Sequence, residues 1–212
     1  MTQKSFILTI GRRIGAGGLA VAHILSEELG VKMYDKELLV EAAKASGLAP
    51  EVFAPSDERP RKRGLSALLS GSAISHLTES MSSRSYLGDD NLFALQSEVM
   101  RRIASEGSCI FVGRCADYVL RDEPGIFNVF VTAPLEDRVA RVAADKGIDP
   151  AAARRMVEQA ERSRADYYNY FSFKRWGDSA SYDLCVDSST AGGFEQTAEI
   201  ILFAMRQRGL ID

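Results

Sequence analysis

Four nearly continuous apolar runs stand out in the chain: "SFILTI" (5–10), "SCIFVG" (108–113), "IFNVFVTA" (126–133) and "YDLCVD" (182–187). A half-buried strand alternates apolar and polar residues, whereas a run without alternation fits a parallel strand covered on both faces. "VKMYD" (31–35) is a fifth, shorter candidate. Helical spacing occupies 17–29, 36–46, 90–106, 135–146, 150–165 and 194–208. In the first of these, Leu19, Ala22, His23, Leu25 and Leu29 mark an apolar face and Gly30 is a natural stop. Strand–helix alternation of this kind predicts an α/β fold with right-handed crossovers. The 212 residues suit one domain, with room for a mobile subdomain.

Composition narrows the class further. Hydrophobic content of 46% and charged content of 26% are those of an ordinary soluble globular protein. No apolar stretch reaches the roughly 18 residues that span a bilayer, and no signal-peptide pattern is present, so a cytoplasmic protein is expected. A net charge of -3 argues against a general nucleic-acid binder. Cys109 and Cys185 lie inside apolar runs, which predicts buried thiols in a reducing compartment; Cys115 makes the number odd. Residues 55–90 break the rhythm with "PSDERPRKRG" and a serine-rich stretch, and read as a loop and helices outside the sheet. Arg59, Arg61, Lys62 and Arg63 there form either a solvated loop or a phosphate contact.

"IGRRIGAGGLAVAHIL" (10–25) joins the first strand to the first helix through Gly11, Gly15, Gly17 and Gly18. Helix-start amides and the helix dipole favour an anion there, and glycine lets backbone approach phosphate oxygens. A bare turn needs fewer glycines. Two phosphate motifs compete. Anchored on Gly17, the pattern G-x-x-x-x-G-K-[ST] meets Arg12 at its first Gly, Gly18 at its Lys and Leu19 at its hydroxyl. The dinucleotide pattern G-x-G-x-x-[GA] is met by Gly15 to Ala20, with Asp35 downstream.

The remaining chain favours phosphoryl chemistry. Gly113, Arg114 and Asp117 follow a buried strand, at the end where α/β sheets bind ligands. Arginine there forks onto a phosphate, and a carboxylate accepts from an amino or hydroxyl group; a local cap-and-pair role is the alternative. Arg138, Arg141, Arg154, Arg155, Arg162 and Arg164 flank a turn at 147–149, as a lid over phosphates would. Several cations must converge on a moving phosphoryl group, a need that a dehydrogenase does not share. Tyr167, Tyr168, Tyr170, Phe171, Phe173 and Trp176 read as core or subunit contact, which leaves a homo-oligomer open. His23 reads as structural, His76 has no partner at useful spacing, and no metal-ligand cluster is visible.

The sequence resembles the bacterial cytidylate kinase-like family, a branch of the P-loop nucleoside monophosphate kinases. "LTIGRRIGAGG", "YDKELL", "GSCIFVGRCADYVL", "VFVTAPLEDRVARV" and "RADYYNYFSFKRWGD" carry the resemblance over about residues 6–187. It implies a three-layer P-loop kinase-like α/β fold with a five-stranded parallel sheet. Its core would cover about 1–50 and 91–212, an acceptor segment about 51–90 and a lid about 141–175. Gly11, Arg13, Gly15, Ala16, Gly17, Gly18 and Leu19 would hold the ATP phosphates. Asp35, Arg114 and Asp117 would face a nucleoside monophosphate, most simply CMP or dCMP. Arg12, Arg114, Arg138, Arg141, Arg162 and Arg164 would surround the transferred group, and Mg2+ would bridge the phosphates. True cytidylate kinases carry the loop Lys, whereas this branch, as at Gly18 here, commonly has glycine in its place, and Leu19 removes the hydroxyl as well. Arg12 or Arg13 reaching into the gap is one remedy for the Lys; without a hydroxyl at Leu19 the metal would need water or a carboxylate such as Asp35 or Asp117. A nucleotide sensor without turnover, a kinase for another small acceptor and a dinucleotide enzyme remain as alternatives.

Overall fold

A computed structural model describes residues 5–35, 90 and 93–212. The acceptor segment expected at about 51–90, apart from Asp90, and the helix expected at 36–46 lie outside the described residues.

Every apolar run forms a strand. β1 (Ile7–Arg12), β2 (Met33–Tyr34), β3 (Cys109–Val112), β4 (Ile126–Thr132) and β5 (Leu184–Asp187) make one parallel sheet in the order β2-β3-β1-β4-β5. The chain leaves β1 on one side to build β2 and β3, then crosses to the other for β4 and β5. The strand order therefore reverses at β1, which places the ligand crevice of an open α/β sheet beyond the end of β1.

The described helices are α1 (Gly18–Leu29), α2 (93–106), α3 (Ala116–Val119), α4 (Leu135–Lys146), α5 (Pro150–Ser172) and α6 (Phe194–Gln207). Successive β1 side chains part to opposite faces. Leu8 and Ile10 join α1 and α6 through Val21, Leu25, Ile201 and Met205. Ile7 joins α2 and α3 through Val99, Met100, Ile103 and Val119. Helix–sheet–helix layering follows. A third cluster of Val139, Val142, Ala153 and Val157 closes α4 against α5 as a hairpin, with Ile14 of the glycine loop packed on it. Its corner carries Gly147 in the left-handed region, then Asp149, whose carboxylate accepts from the Ala152 amide at 3.0 Å. Pro150 in the first turn loses no hydrogen bond by lacking an N–H.

Three expectations are corrected. Cys185 is exposed, because β5 is an edge strand: Val186 turns into the α1–α6 core, and the described core of α2 and α3 does not extend to the opposite face. His23 is exposed, as is Leu19 one turn earlier. The buried stripe of α1 is Gly18, Val21, Ala22 and Leu25, so the helix is rotated away from the face that the apolar spacing suggested. Finally, α5 runs to Ser172 rather than ending near 165, and the aromatic stretch 167–171 occupies its last turns. Phe171 stacks on Phe93 of α2 at 4.1 Å between ring centroids, the packing role expected of that stretch.

Leu8 is fully buried in the middle strand. Leu8→Ala is expected to cost about 3 kcal/mol of unfolding free energy, read by urea titration. A loss under about 1 kcal/mol would mean that the sheet does not pivot on β1.

Candidate functional site

Beyond β1 the chain makes a tight loop from Arg13 to Gly17 before α1 begins at Gly18. First-turn amides have no partner within their own helix. Four carbonyls on or beside the loop, by contrast, are held by side chains from outside it. Arg164 Nη1 donates to the Arg12 carbonyl at 3.1 Å and Arg138 Nη1 to that of Ile14 at 3.3 Å. Arg141 Nη1 donates to the Gly15 carbonyl at 3.3 Å, and Ser188 Oγ to that of Ala16 at 2.9 Å. With these acceptors held by other donors, the first-turn amides of α1 stay available to an anion.

Two glycines of the loop are forced. Gly15 (φ 75°) has the Arg138 carbonyl 2.6 Å from where a Cβ would stand. Gly17 (φ 82°) lies on the ring of Phe194, which a Cβ would strike. Gly18 is different: its backbone is not left-handed, yet a Cβ there would fall 2.5 Å from Arg12 Cβ and 2.8 Å from Cγ. The Arg12 guanidinium continues across Gly113, where a Cβ would collide with Nη1.

Behind the loop, Glu161 of α5 accepts from Arg138 Nη1 at 2.8 Å and from Arg13 Nη1 at 3.3 Å. Arg138 Nε donates to the Ala133 carbonyl at 2.8 Å. Burial lowers the Arg138 pKa from its usual value, and Glu161 opposes that shift. Arg13 also lies over the Trp176 ring, 5.6 Å from its centroid. Arg141 reaches past the loop to Ser188 (3.2 Å) and Ser189 (2.8 Å), with Phe194 beside it. The "DSSTAGG" segment after β5 thereby wraps the glycine loop, its own turn fixed by Asp187 accepting from the Ser189 and Thr190 amides.

Two cavities meet here. A cleft of about 1170 Å³ is lined by Arg13, Gly15, Gly17, Gly18 and Leu19 of the loop region, with Asp35, Arg141 and Phe194. A small cavity of about 30 Å³ is lined by Thr9, Gly11, Arg114, Asp117, Tyr168 and Tyr182. Arg12 and Arg164 line both. The wall of the small cavity is unusual backbone, since Gly113, Arg114 and Cys115 are consecutively left-handed (φ 75°, 59° and 56°). For the two non-glycines this costs on the order of 1 kcal/mol or more each, a strain typical of functional turns. Asp117 accepts from the Tyr168 hydroxyl at 2.6 Å. Its pKa is raised by burial, against the opposing Tyr168 hydrogen bond and Lys174 charge, while burial and Asp117 push Tyr168 up.

The expected residues therefore separate. Gly15, Gly17, Gly18, Leu19, Arg13, Asp35 and Arg141 line the cleft, and Gly11, Arg114 and Asp117 the small cavity. Ala16 is buried beneath the loop and Arg138 sits behind it. Arg162 is exposed, and neither described lining includes it. Sequence reasoning missed Glu161, Ser188 and Phe194. A small-residue loop between a buried strand and a helix, at the same sheet end as the glycine loop, was the available signal for the last two. Among the described residues no group of three or more His, Cys, Asp or Glu side chains could hold a metal by itself. None of their helices is long and apolar enough to cross a membrane.

A model of the cytidylate kinase-like family matches residues 7–190, and the chain belongs to that family. It is 28% identical over 201 residues to a cytidylate kinase of Methanopyrus kandleri, covering 89% of this chain and 88% of that one. A crystal structure of an uncharacterized protein from Eubacterium ventriosum matches with a TM-score of 0.69 and 25% identity, covering 95% and 98% of the two chains. Shikimate kinase from Acinetobacter baumannii in complex with shikimate matches at a TM-score of 0.51 and 15% identity, over 97% and 94%. The expected P-loop kinase-like fold is thus the fold observed, in a chain of a kinase-like family.

A carboxyl whose pKa is raised on folding binds its proton more tightly in the native state. Its contribution to stability therefore declines as pH rises from about 4, the usual carboxylate value, through the raised one. Asp117→Asn removes that decline while an amide oxygen still accepts from Tyr168. The stability of the variant minus that of the native chain, measured by urea titration from pH 4 to 7, is expected to increase with pH. A pH-independent difference would contradict the burial of an ionisable Asp117.

Proposed function

We propose that the chain transfers the γ-phosphoryl group of ATP to a nucleoside monophosphate, with CMP or dCMP as the acceptor. The observation that carries this reading is the pair Arg12 and Arg164, the residues common to both described linings. A phosphoryl group passing from donor to acceptor must cross that seam. Two guanidiniums there would meet the charge that spreads over its oxygens in the transition state. The family match and the fold support the same chemistry, and neither favours the dinucleotide alternative.

In this reading the cleft takes ATP, with its phosphates on the amides of the glycine loop and its base toward Arg141 and Phe194. The small cavity takes the acceptor, with Arg114 on its phosphate and Asp117 and Tyr168 toward its base. At about 30 Å³ that cavity holds about one water. Acceptor entry therefore requires the α5 wall carrying Arg164, Tyr167 and Tyr168 to move away from β3. An acceptor phosphate oxygen attacks the γ-phosphorus, the bond to the β–γ bridging oxygen breaks, and ADP leaves with that electron pair. The acceptor oxygen needs no base, being already anionic. Catalysis is positioning and electrostatics.

Mg2+ fits this site as a metal carried by the phosphates. Such an ion takes one or two protein carboxylates and completes its shell with phosphate oxygens and water, and Asp35 lines the cleft on the loop side. It would neutralise charge on the donor phosphates. Leu19 supplies no hydroxyl to it.

The missing loop Lys and hydroxyl favour one second reading, a nucleotide sensor that does not turn over. ADP release from ATP and Mg2+ across CMP, dCMP, UMP, AMP and GMP distinguishes the two. Turnover stimulated by a pyrimidine monophosphate is expected, and Arg164→Ala should lower its kcat roughly a hundredfold. ATP binding with no stimulation by any of the five would overturn the kinase reading for nucleoside monophosphates and leave the sensor or another acceptor.

A further inference from the structure

The glycine loop is not a phosphate loop that has merely lost its cation. We infer that Arg12 is the loop's phosphate-binding cation, delivered from the opposite end of the motif to the place where a lysine at position 18 would act. The inference rests on the kinase reading above for its ligand, ATP.

Set on the pattern G-x-x-x-x-G-K, the segment from Arg12 to Gly18 exchanges the first and last positions: Arg replaces the first Gly, and Gly replaces the Lys. The geometry explains why the two changes belong together. No backbone conformation requires glycine at 18, which lies outside the left-handed region and opens α1. What excludes a side chain there is Arg12 itself, whose Cβ and Cγ stand 2.5 and 2.8 Å from the position a Cβ would take. Those atoms belong to the root of the side chain and cannot swing aside without moving the loop. A side chain at 18 therefore excludes any side chain at 12, arginine included.

The guanidinium then ends over Gly113, at the boundary of the donor cleft and the small cavity. Gly113 admits it only because it too lacks a Cβ. Arg13, the other candidate for this role, also lines the cleft, but its guanidinium is committed to Glu161 and lies over Trp176. A lysine presents a point charge, whereas a guanidinium presents a planar fork that can contact two phosphate oxygens together. Arg12 would thus hold donor phosphate and follow the transferred group toward the acceptor.

The test exchanges the two positions back. Binding of ATP and ADP by calorimetry and turnover with ATP, Mg2+ and CMP are measured for the native chain, Arg12→Met, Arg12→Lys, Arg12→Gly, Gly18→Lys and the double variant Arg12→Gly/Gly18→Lys. Arg12→Met keeps the stem and removes the charge. It should weaken ATP and ADP at least tenfold and lower kcat roughly a hundredfold, with Arg12→Lys between it and the native chain. Gly18→Lys alone should also bind ATP poorly, because its side chain displaces Arg12. The double variant restores the G-x-x-x-x-G-K pattern and should recover at least tenfold in ATP affinity over Arg12→Gly.

Native ATP affinity in Arg12→Met, native behaviour of Gly18→Lys, or a double variant no better than Arg12→Gly would each overturn the inference. Should Arg12→Met fail to fold, as judged by its thermal melt, the double variant decides alone. Absence of ATP binding by the native chain would overturn both this inference and the kinase reading. Arg12-dependent ATP binding without acceptor-stimulated turnover would overturn the kinase reading only.

Discussion

The site depends on the outward anchoring of the glycine loop's carbonyls. Arg164, Arg138, Arg141 and Ser188 each donate to one of them, from α5, α4 and the turn after β5. Hydrogen bonds from charged donors to backbone are each worth roughly 1.5–3 kcal/mol when well made. More to the point, they fix which way the peptide planes face. The helical hairpin is therefore part of the loop's architecture as well as a cover for it. Ile14 packing into the hairpin core binds the same two bodies by apolar contact.

This division of labour accounts for an arginine content that surface solvation does not explain. Arg138 is almost completely buried and shares Glu161 with Arg13, so its charge is spent inside the scaffold. Arg141 is divided between a loop carbonyl and two serine hydroxyls while still lining the cleft. Arg154 pairs with Glu136, joining the two helices of the hairpin. Arg164 holds the Arg12 carbonyl and, together with Arg12, lines both cavities. Arginines that look alike in sequence thus differ in what they hold once their neighbours are known.

The strands were legible because burial on both faces leaves little polar alternation to confuse the reading, and even two-residue β2 fell inside the short candidate at 31–35. Helix ends were legible where glycine or an Asp-Pro pair sets them, as at Gly30, Gly147 and Asp149. The rotation of α1 was not. Gly18 lies against Arg12, a contact that reaches back across the loop and gives no periodic signal, while Val21, Ala22 and Leu25 face the core and Leu19 and His23 face outward. Cys185 failed for a related reason: apolar sequence does not reveal which strand lies at the edge. Of the site, the glycine loop, Arg114 and Asp117 carried local signatures. Glu161 carried none, since its partners Arg13 and Arg138 lie 148 and 23 positions away in the chain.

The central claim is that the two cavities are successive halves of one phosphate path crossing Arg12 and Arg164. It is tested most directly by calorimetry with a single ligand in which adenosine and cytidine are joined through five phosphates. A continuous path predicts binding at least a hundredfold tighter than ATP alone, because the second half binds without a second loss of translational freedom. The increment should disappear when cytidine is omitted from the chain of phosphates. A joined ligand that binds no better than ATP would contradict the account: the small cavity would not be the acceptor site, and the seam would not be where phosphate passes.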